Sequence, residues 1–387
     1  MSKRRMTILL FVAMLMTAVF SGCERRPLEA VFSNTVRVVV KCIWTTDNYP
    51  EKPTGMTLYF FRNDEPTPRV VTTSNVESCE VQLDAGHYKL YMISQSPEEY
   101  WTMNFENMST FSLADVSLIT RTSRWYTPAS TRAVENLVEN PENVAVAVAE
   151  EFDVTEDMVE TYQSYYNLWK SKTRGQSTKT KAGGVFSDDY AGEFASEEEE
   201  ISYLEEQIQT YTIVIPLTPR NIVSQFDVTI YSDNADVLKS VRAATNGMAR
   251  TFELTQFITG PESATQLMES GWTLTIDDPE KRIGHINGRI TTFGLPNGDV
   301  PSANRDPELN VSALLIDDKT TEDYHFDVGD KITMEAPNPG YNHLYKLVFG
   351  SLSDPAIHPP DVTPGGGGGF TANVADWGEE IVADIPI

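Results

Sequence analysis

The sequence predicts a mainly β fold, with two antiparallel β-sandwich domains and a partly helical insert between them. Two stretches predict the sandwiches, residues 33–150 and 210–387. In both, short runs with alternating apolar residues recur about every ten residues and are separated by turn-forming residues. A third observation predicts the insert, because apolar residues within 151–209 recur at helical spacing. A chain of 387 residues has room for this organisation at ~150 residues per domain.

Residues 1–22 have the pattern of an export signal. A basic start (residues 3–5) precedes an apolar run (residues 6–20) and a small-residue box that ends at Cys23. The apolar run is shorter than the ~20 residues of a transmembrane helix. The pattern resembles the signal of bacterial lipoproteins, which implies cleavage before Cys23 and acylation of that residue. Residues 23–32 would then form a polar tether.

The chain is strongly acidic. Its formal charge is −26, and loss of the three basic signal residues leaves 27 basic and 56 acidic side chains, a charge of −29. Binding to nucleic acid depends on basic patches that neutralise phosphates. The composition therefore excludes nucleic acid as a partner.

Two cysteines lie in the first predicted sandwich. Cys42 and Cys79 each occupy the apolar face of an alternating run. An exported protein can form a disulfide, so these residues could be bridged. They could equally be buried free thiols that pack as small apolar side chains. The sequence leaves both possibilities open.

The insert (residues 151–209) has two predicted helices. Thr155 could cap the first, and Ser196 with Glu199 forms a capping box before the second. The first helix carries one stripe of large side chains: Met158, Tyr162, Tyr165 and Trp169. Such a stripe is typical of the buried side of an amphipathic helix, and a sugar-stacking platform is the alternative.

The C-terminal end follows a run of five glycines (residues 365–369), which forms a flexible tether. Apolar residues then recur at the spacing of a strand. This segment could be the last strand of its own sheet, or a strand that pairs with another subunit. The candidate strand-exchange residues are Phe370, Val374, Trp377, Ile381 and Ile385.

No motif for catalysis or cofactor binding occurs in the sequence. Phosphate loops, nucleophile elbows, zinc-type histidine pairs and dinucleotide fingerprints are all missing. We therefore expect no catalytic residue, no cofactor and no metal site, and a protein that is not an enzyme.

Several segments resemble the fimbrillin-like family (type V pilins) of Bacteroidales. They are the lipoprotein-type signal, the hairpin Leu83-Asp84-Ala85-Gly86-His87-Tyr88-Lys89-Leu90, the strands that open the second domain, and the Gly-Phe, Val and Trp of the last twenty residues. The resemblance implies prealbumin-like sandwiches and a pilus subunit, pilus anchor or surface adhesin of the outer membrane. In that family a protease removes an N-terminal strand and a partner's strand takes its place. The implied partners are other pilus subunits or a ligand on a host or bacterial surface.

Two other classes of function remain at this point. A surface lipoprotein that binds glycans would use exposed aromatic residues, for which Trp101, Trp125 and Trp169 are the candidates. A hydrolase would need convergent carboxylates with perturbed pKa values in a pocket.

Overall fold

The computed structural model describes residues 34–126, 136–173, 194–298 and 307–364. Among these residues the first nine strands are β1 (Thr35–Cys42), β2 (Met56–Arg62), β3 (Arg69–Thr73), β4 (Ser78–Asp84), β5 (Gly86–Ser94), β6 (Met103–Glu106), β7 (Asp115–Leu118), β8 (Asn136–Val138) and β9 (Ala145–Val154). Two helices follow, α1 (Glu156–Thr173) and α2 (Glu197–Thr210). The remaining strands are β10 (Ile213–Leu217), β11 (Arg220–Asn221), β12 (Ser224–Ser232), β13 (Leu238–Ala249), β14 (Thr251–Glu253), β15 (Ile258–Thr259), β16 (Ser263–Met268), β17 (Thr273–Asp278), β18 (Ile283–Thr292), β19 (Glu308–Leu315), β20 (Thr321–Asp327), β21 (Thr333–Glu335) and β22 (Leu344–Phe349).

The chain divides into two compact units. Of the described residues, the helical unit contains 34–38, 81–85, 154–173 and 194–213. The sheet unit contains all the others. No helix among the described residues has both the length and the apolar character that crossing a membrane requires.

The helical unit confirms the two helices predicted in the insert. The Thr155 hydroxyl accepts the backbone N–H of Met158 at 3.3 Å, which caps α1. Ser196 Oγ accepts the N–H of Glu199 at 3.2 Å and caps α2. Glu199 in turn accepts the N–H of Ala195, so the reciprocal bond of the capping box reaches one residue further back.

The aromatic stripe of α1 is partly buried within the same unit. Tyr162 and Tyr165 are buried, whereas Met158 is exposed. The Tyr165 ring stacks on Tyr211, with 5.4 Å between ring centroids. The stripe therefore serves mainly as a packing face.

Four sheets build most of the sheet unit, in the strand orders β11-β9-β5-β2-β3, β15-β14-β7-β6, β17-β18-β12-β22-β21 and β20-β19-β13-β16-β8. The parts of β1, β4 and β10 in this unit form a fifth sheet of order β10-β1-β4. Most neighbouring strands are antiparallel, and β12 with β22 and β8 with β16 are parallel. The predicted mainly β fold is confirmed.

The C-terminal core packs the sheet of β12 against the sheet of β13. Alternation places Phe226, Val228 and Ile230 of β12 in this core, where all three are fully buried. On the opposite face of β12, Asp227 accepts two hydrogen bonds of 2.6 Å from Arg289. A sheet with one apolar and one polar face buries only the first.

The N-terminal core packs the sheet of β5 against the sheet of β7. Its fully buried members include Tyr91 and Ile93 of β5, Val116 of β7 and Phe252 of β14. The Tyr91 hydroxyl donates to the Met108 carbonyl oxygen at 2.6 Å, which satisfies the polar end of a buried ring. Burial raises the pKa of Tyr91, so this phenol stays a donor.

Sheet pairing crosses the boundaries predicted at residues 150 and 210. Strand β14 pairs with β7, in the register Phe252 to Val116. Strand β11 pairs with β9, and β8 pairs with β16. Each sandwich therefore contains strands from the other half of the chain.

Candidate functional site

A pocket of about 320 Å³ lies among the loop after β1, the end of β5 and the segment before β9. We name it the Tyr100 pocket, after a residue of one of its walls. Its lining residues all belong to the sheet unit. They are Tyr49, Pro50, Glu51, Lys52, Pro53, Thr54, Gln95, Tyr100, Glu142 and Asn143.

The loop after β1 is fixed by its own turn and by a distant glycine. The N–H of Tyr49 donates to the Thr45 carbonyl oxygen at 3.0 Å, and the Tyr49 hydroxyl donates to the Asn143 carbonyl oxygen at 2.8 Å. Gly340 has a φ of +83°, and a Cβ there would lie 2.4 Å from the nitrogen of Pro50. Because a side chain at position 340 would overlap Pro50, only glycine permits the loop to pack this closely.

The opposite wall is made by the end of β5 and the short segment after it. The Tyr100 hydroxyl donates to the Ser94 carbonyl oxygen at 2.6 Å. Gln95 has a φ of +60°, and its N–H donates to the Gly55 carbonyl oxygen at 2.8 Å. Burial raises the pKa values of Tyr49 and Tyr100, so both phenols are neutral at physiological pH.

Glu142 holds the segment that carries Trp101. Its Oε2 accepts the N–H of Trp101 at 2.8 Å, and the N–H and hydroxyl of Thr102 at 3.1 Å each. The Thr102 hydroxyl accepts the N–H of Glu142 in return, at 3.2 Å. Charged acceptors form the stronger hydrogen bonds in proteins, so the backbone at Trp101 is well fixed. The Trp101 side chain is 82 % exposed.

The chemistry of the lining favours binding. The ten lining residues include two carboxylates, one ammonium group, two amides and two phenols, but no Ser, Cys or His. Lys52 forms an ion pair of 2.5 Å with Glu77, both well exposed, and such surface pairs stabilise little. The pocket offers hydrogen-bond donors and acceptors.

Two groups of predicted site residues lie outside the described residues. They are the lipidation site, Cys23, and the candidate strand-exchange residues, Phe370, Val374, Trp377, Ile381 and Ile385. Both remain predictions.

Cys42 and Cys79 are both buried, and both are free thiols in the structure. Burial, with a further contribution from Cys79, raises the pKa of Cys42 to about 12. Cys42 Sγ lies 3.7 Å from the sulfur of Met56, within an apolar environment. A disulfide between Cys42 and Cys79 stays a prediction. It can be tested by alkylating the denatured protein without reduction and measuring its mass. Modification of both thiols would reject the disulfide.

The three tryptophans proposed as sugar platforms have different surroundings. Trp125 donates from Nε1 to Glu269 at 2.9 Å, and the Arg242 guanidinium lies 4.5 Å from its ring centroid. In the helical unit, Trp169 donates to Glu205 at 3.1 Å. Of the three, Trp101 alone presents most of its side chain to solvent.

Sequence reasoning did not identify the residues that line the Tyr100 pocket. Tyr49 lies in a turn-forming stretch, and an aromatic residue between prolines and polar turn residues is the one local sign of this wall. Glu142 is brought to Gln95 and Tyr100 only by contacts between distant segments.

One group of potential metal ligands occurs among the described residues. Atoms of Glu308, His325 and Asp327 lie within 4.8 Å of one another. His325 Nδ1 is already hydrogen-bonded to Asn310 Oδ1 at 2.9 Å, and Glu308 accepts from Asn246 at 3.3 Å. Exposed groups of this kind occur on many proteins that bind no metal.

No protein of curated function matches the sequence. Solved structures similar to this chain include a candidate adhesin from Bacteroides ovatus ATCC 8483, with 9 % identity, a TM-score of 0.49, and coverage of 88 % of this chain and 99 % of that chain. A second candidate adhesin from Bacteroides ovatus has 10 % identity and a TM-score of 0.41, covering 76 % and 78 %. The fimbrial anchor protein Mfa2 from Porphyromonas gingivalis has 11 % identity and a TM-score of 0.38, covering 81 % and 90 %.

One family model matches the sequence. It spans residues 22–269, more than half of the chain, and includes every strand from β1 to β16. The chain belongs to the family described as a domain of unknown function, DUF5119.

Proposed function

We propose that the chain is a cell-envelope lipoprotein that acts as a fimbrial subunit, a pilus anchor or a surface adhesin. It would be attached to the outer membrane through lipid on Cys23, and its role would be non-catalytic. The observation that carries this proposal is the lipoprotein-type signal placed directly before a body built of sheets. The family match supports it, since it begins at residue 22, directly before the first residue of the predicted mature chain, Cys23.

The tether between lipid and body is short. Strand β1 begins at Thr35, roughly a dozen residues after Cys23. At about 3.3–3.6 Å per extended residue, this tether reaches about 40 Å at most. Two or three acyl chains hold a protein firmly at a membrane. The body would therefore stay close to the membrane, as a pilus anchor or a short surface adhesin requires.

Strand β1 supports a role in strand exchange. Its Val36, Val38 and Val40 are fully buried. At its end, the Cys42 N–H donates to the Glu77 carbonyl oxygen at 2.9 Å, and the Ile43 N–H donates to the Leu217 carbonyl oxygen at 2.8 Å. Loss of β1 would open a groove with unpaired backbone groups and alternating apolar pockets. A strand from another subunit could fill such a groove, as the fimbrillin-like resemblance implies.

Lipid attachment is tested by labelling cells with a fatty-acid analogue. We expect the wild type and a Cys42→Ala control to carry label and to fractionate with the outer membrane. Cys23→Ala should carry no label and should retain its signal. Normal maturation of Cys23→Ala, with retention in the membrane fraction, would overturn the anchor.

Assembly is tested by gel electrophoresis of samples that are heated but not boiled. A ladder of multimers is expected of a strand-exchanged stalk subunit, whereas a monomer band indicates an anchor or adhesin.

Protease treatment of intact cells tests whether the protein lies on the outer face of the outer membrane. Full protection from protease would contradict the surface location.

A further inference from the structure

We propose that α1 is a clamp on β1, so that β1 leaves the fold only when α1 is displaced from it. This inference deepens the proposed function, because β1 is the strand whose loss would open a groove for a partner's strand. It rests on that function only for its biological meaning, since release of β1 can be measured in the purified chain.

The contact that forms the clamp is made by Gln163 of α1. Glutamine is mostly found exposed in proteins, but Gln163 is buried. Its Nε2 donates to the backbone carbonyl oxygen of Thr35, the first residue of β1, at 2.5 Å. Both residues belong to the helical unit. A buried amide is unfavourable unless it is hydrogen-bonded, so this bond fixes α1 against the start of β1.

Thr35 is held from a second direction as well. Its hydroxyl donates to Oε1 of Gln82 on β4 at 3.3 Å, and Gln82 also belongs to the helical unit. Thr35 and Val36 are both buried, and successive side chains of a strand point to opposite faces. The start of β1 is therefore covered on both faces and hydrogen-bonded to two other elements.

Contacts with α2 hold α1 in position. Trp169 Nε1 donates to Glu205 at 3.1 Å, and Lys172 forms an ion pair of 2.5 Å with Glu200. Each of these surface contacts stabilises little by itself. Together they join the two helices, so α1 cannot move away from Thr35 without a rearrangement of the helix pair.

The clamp acts at the point where the predicted tether, residues 23–32, leads into the fold. Strand β1 begins at Thr35, so a pull on the tether reaches β1 at the residue that Gln163 holds. While the clamp is closed, the chain keeps its own β1 and a partner's strand cannot take that place. Such a chain would behave as an anchor or adhesin rather than as a stalk subunit.

Cys42 can report the release of β1, because it is the last residue of this strand and is buried. It lies about 23 Å along the strand from Thr35, at ~3.3 Å per residue. A disturbance confined to Gln163 does not reach it, whereas release of the whole strand exposes its thiol. The sequence has three cysteines, so the chain from residue 23 with Cys23→Ala and Cys79→Ala has Cys42 as its single thiol.

The test is the rate at which a thiol reagent modifies Cys42 in this single-thiol chain under native conditions. Gln163→Leu removes the donor and keeps a side chain of similar size. We expect it to accelerate the modification at least about tenfold, equivalent to ~1.4 kcal/mol. Gln163→Glu should act in the same direction, because an ionised carboxylate has no hydrogen to donate to the Thr35 carbonyl oxygen.

Two control variants separate the clamp from a general loss of stability. Trp169→Phe removes one exposed hydrogen bond of α1 and leaves Gln163 unchanged, so Cys42 should react close to the parent rate. Leu137→Ala weakens a small cluster elsewhere, with Ala244 and Leu267, and should also leave the rate unchanged. If Leu137→Ala accelerates the modification as much as Gln163→Leu does, Cys42 reacts through global unfolding and the clamp is rejected. Equal rates in Gln163→Leu and the parent chain would reject it as well.

A fluorescent peptide with the sequence of residues 34–43, carrying Cys42→Ser, distinguishes the clamp from strand exchange itself. The peptide should enter the Gln163→Leu chain faster than the parent chain. If neither chain takes up the peptide while Cys42 of Gln163→Leu still reacts faster, the clamp is supported and strand exchange at β1 is rejected.

Discussion

The C-terminal core takes all its buried residues from the stretch between Phe226 and Ile357, whereas the N-terminal core draws its residues from Tyr59 to Phe293. The N-terminal core includes Phe252 of β14, a strand after residue 210 that pairs with β7, a strand before residue 150. Long-range pairing has an entropic cost of loop closure that must be met before the contacts form. One core is thus local to its half of the chain, and the other depends on both halves.

The largest expected effect is on fragments. Residues 34–150 lack β11, β14 and β15 and also lack Phe252 and Phe293, which are fully buried in the N-terminal core. We expect this fragment to remain unfolded by circular dichroism. Residues 34–298 contain every member of that core and should regain protected amides in β5 and β7.

A C-terminal fragment, residues 224–364, contains every buried member of the C-terminal core. Of the strands in the two sheets of that core, it lacks only β8. We expect it to give cooperative thermal unfolding. A folded 34–150 fragment would instead support the boundaries predicted from the sequence at residues 150 and 210. Two independent sandwiches would then replace the shared arrangement.

The next largest effect is expected from a matched pair of substitutions, one in each core. Phe252 and Phe226 are both fully buried, in the N-terminal and C-terminal cores respectively. Phe252→Ala and Phe226→Ala should each lower the free energy of unfolding by about 3–5 kcal/mol. Hydrogen exchange should accelerate in β5 and β7 for the first, and in β12 and β22 for the second.

If both variants accelerate exchange equally in all four strands, the two cores unfold as one cooperative unit. The distinction between a local and a shared core would then have no energetic meaning. The melting transition of each variant, followed by fluorescence and by circular dichroism, provides an independent check.

These cases show which parts of the fold were accessible from sequence. Phe226, Val228 and Ile230 form one of the alternating apolar runs of the second predicted sandwich, and they lie on the buried face of β12. Strands β8 and β14 have three residues each, too few for any period to be detected. Their position is decided by pairing with distant strands, which no local pattern records.

The candidate site was likewise only partly accessible from the sequence. Trp101, Trp125 and Trp169 were all candidate sugar platforms, because the sequence does not show which of their side chains are exposed. Tyr49 is hydrogen-bonded to Asn143, 94 residues away, and Glu142 holds the backbone of Trp101. Local sequence could supply the aromatic residue, and only the fold could supply its surroundings.

A smaller effect concerns what the N-terminal half contributes to the C-terminal sheets. Leu137 of β8 pairs with Thr265 of β16 and packs in a small cluster with Ala244 and Leu267. Leu137→Ala should lower the free energy of unfolding by about 2 kcal/mol, the low end for such a change, because the cluster is small. Chemical denaturation measures this value.

Val138 is the control, since it is the next residue of β8 and is buried in the N-terminal core. Val138→Ala should accelerate exchange in β5 and β7, whereas Leu137→Ala should accelerate it in β13 and β16. If both variants accelerate hydrogen exchange in the same strands, the two faces of β8 do not belong to separate cores.

The smallest expected effect is a pH dependence confined to the shared sheet. Burial raises the pKa of Asp115 on β7, and the neighbouring carboxylates Glu106 and Glu253 raise it further. Glu106 of β6 and Glu253 of β14 are opposite Asp115, so the pairing of β14 with β7 across the two halves adds one of the two repulsive contacts. Because the folded state binds this proton more tightly than the unfolded state does, the carboxylate destabilises the fold above its folded pKa. The destabilisation disappears below the ordinary carboxyl pKa of ~3.9.

Asp115→Asn should therefore stabilise the protein at pH 7 by less than about 1 kcal/mol, the scale of a like-charge pair across strands. The gain should shrink as the pH falls through the folded pKa of Asp115, where the wild-type carboxyl becomes protonated. Denaturation curves at pH 7 and pH 4 measure the difference. Asp227→Asn is the control in the local sheet, because Asp227 accepts two hydrogen bonds from Arg289 and its loss should destabilise. A stabilisation by Asp115→Asn that is the same at both pH values would mean that packing, rather than charge, limits the joint between the two halves.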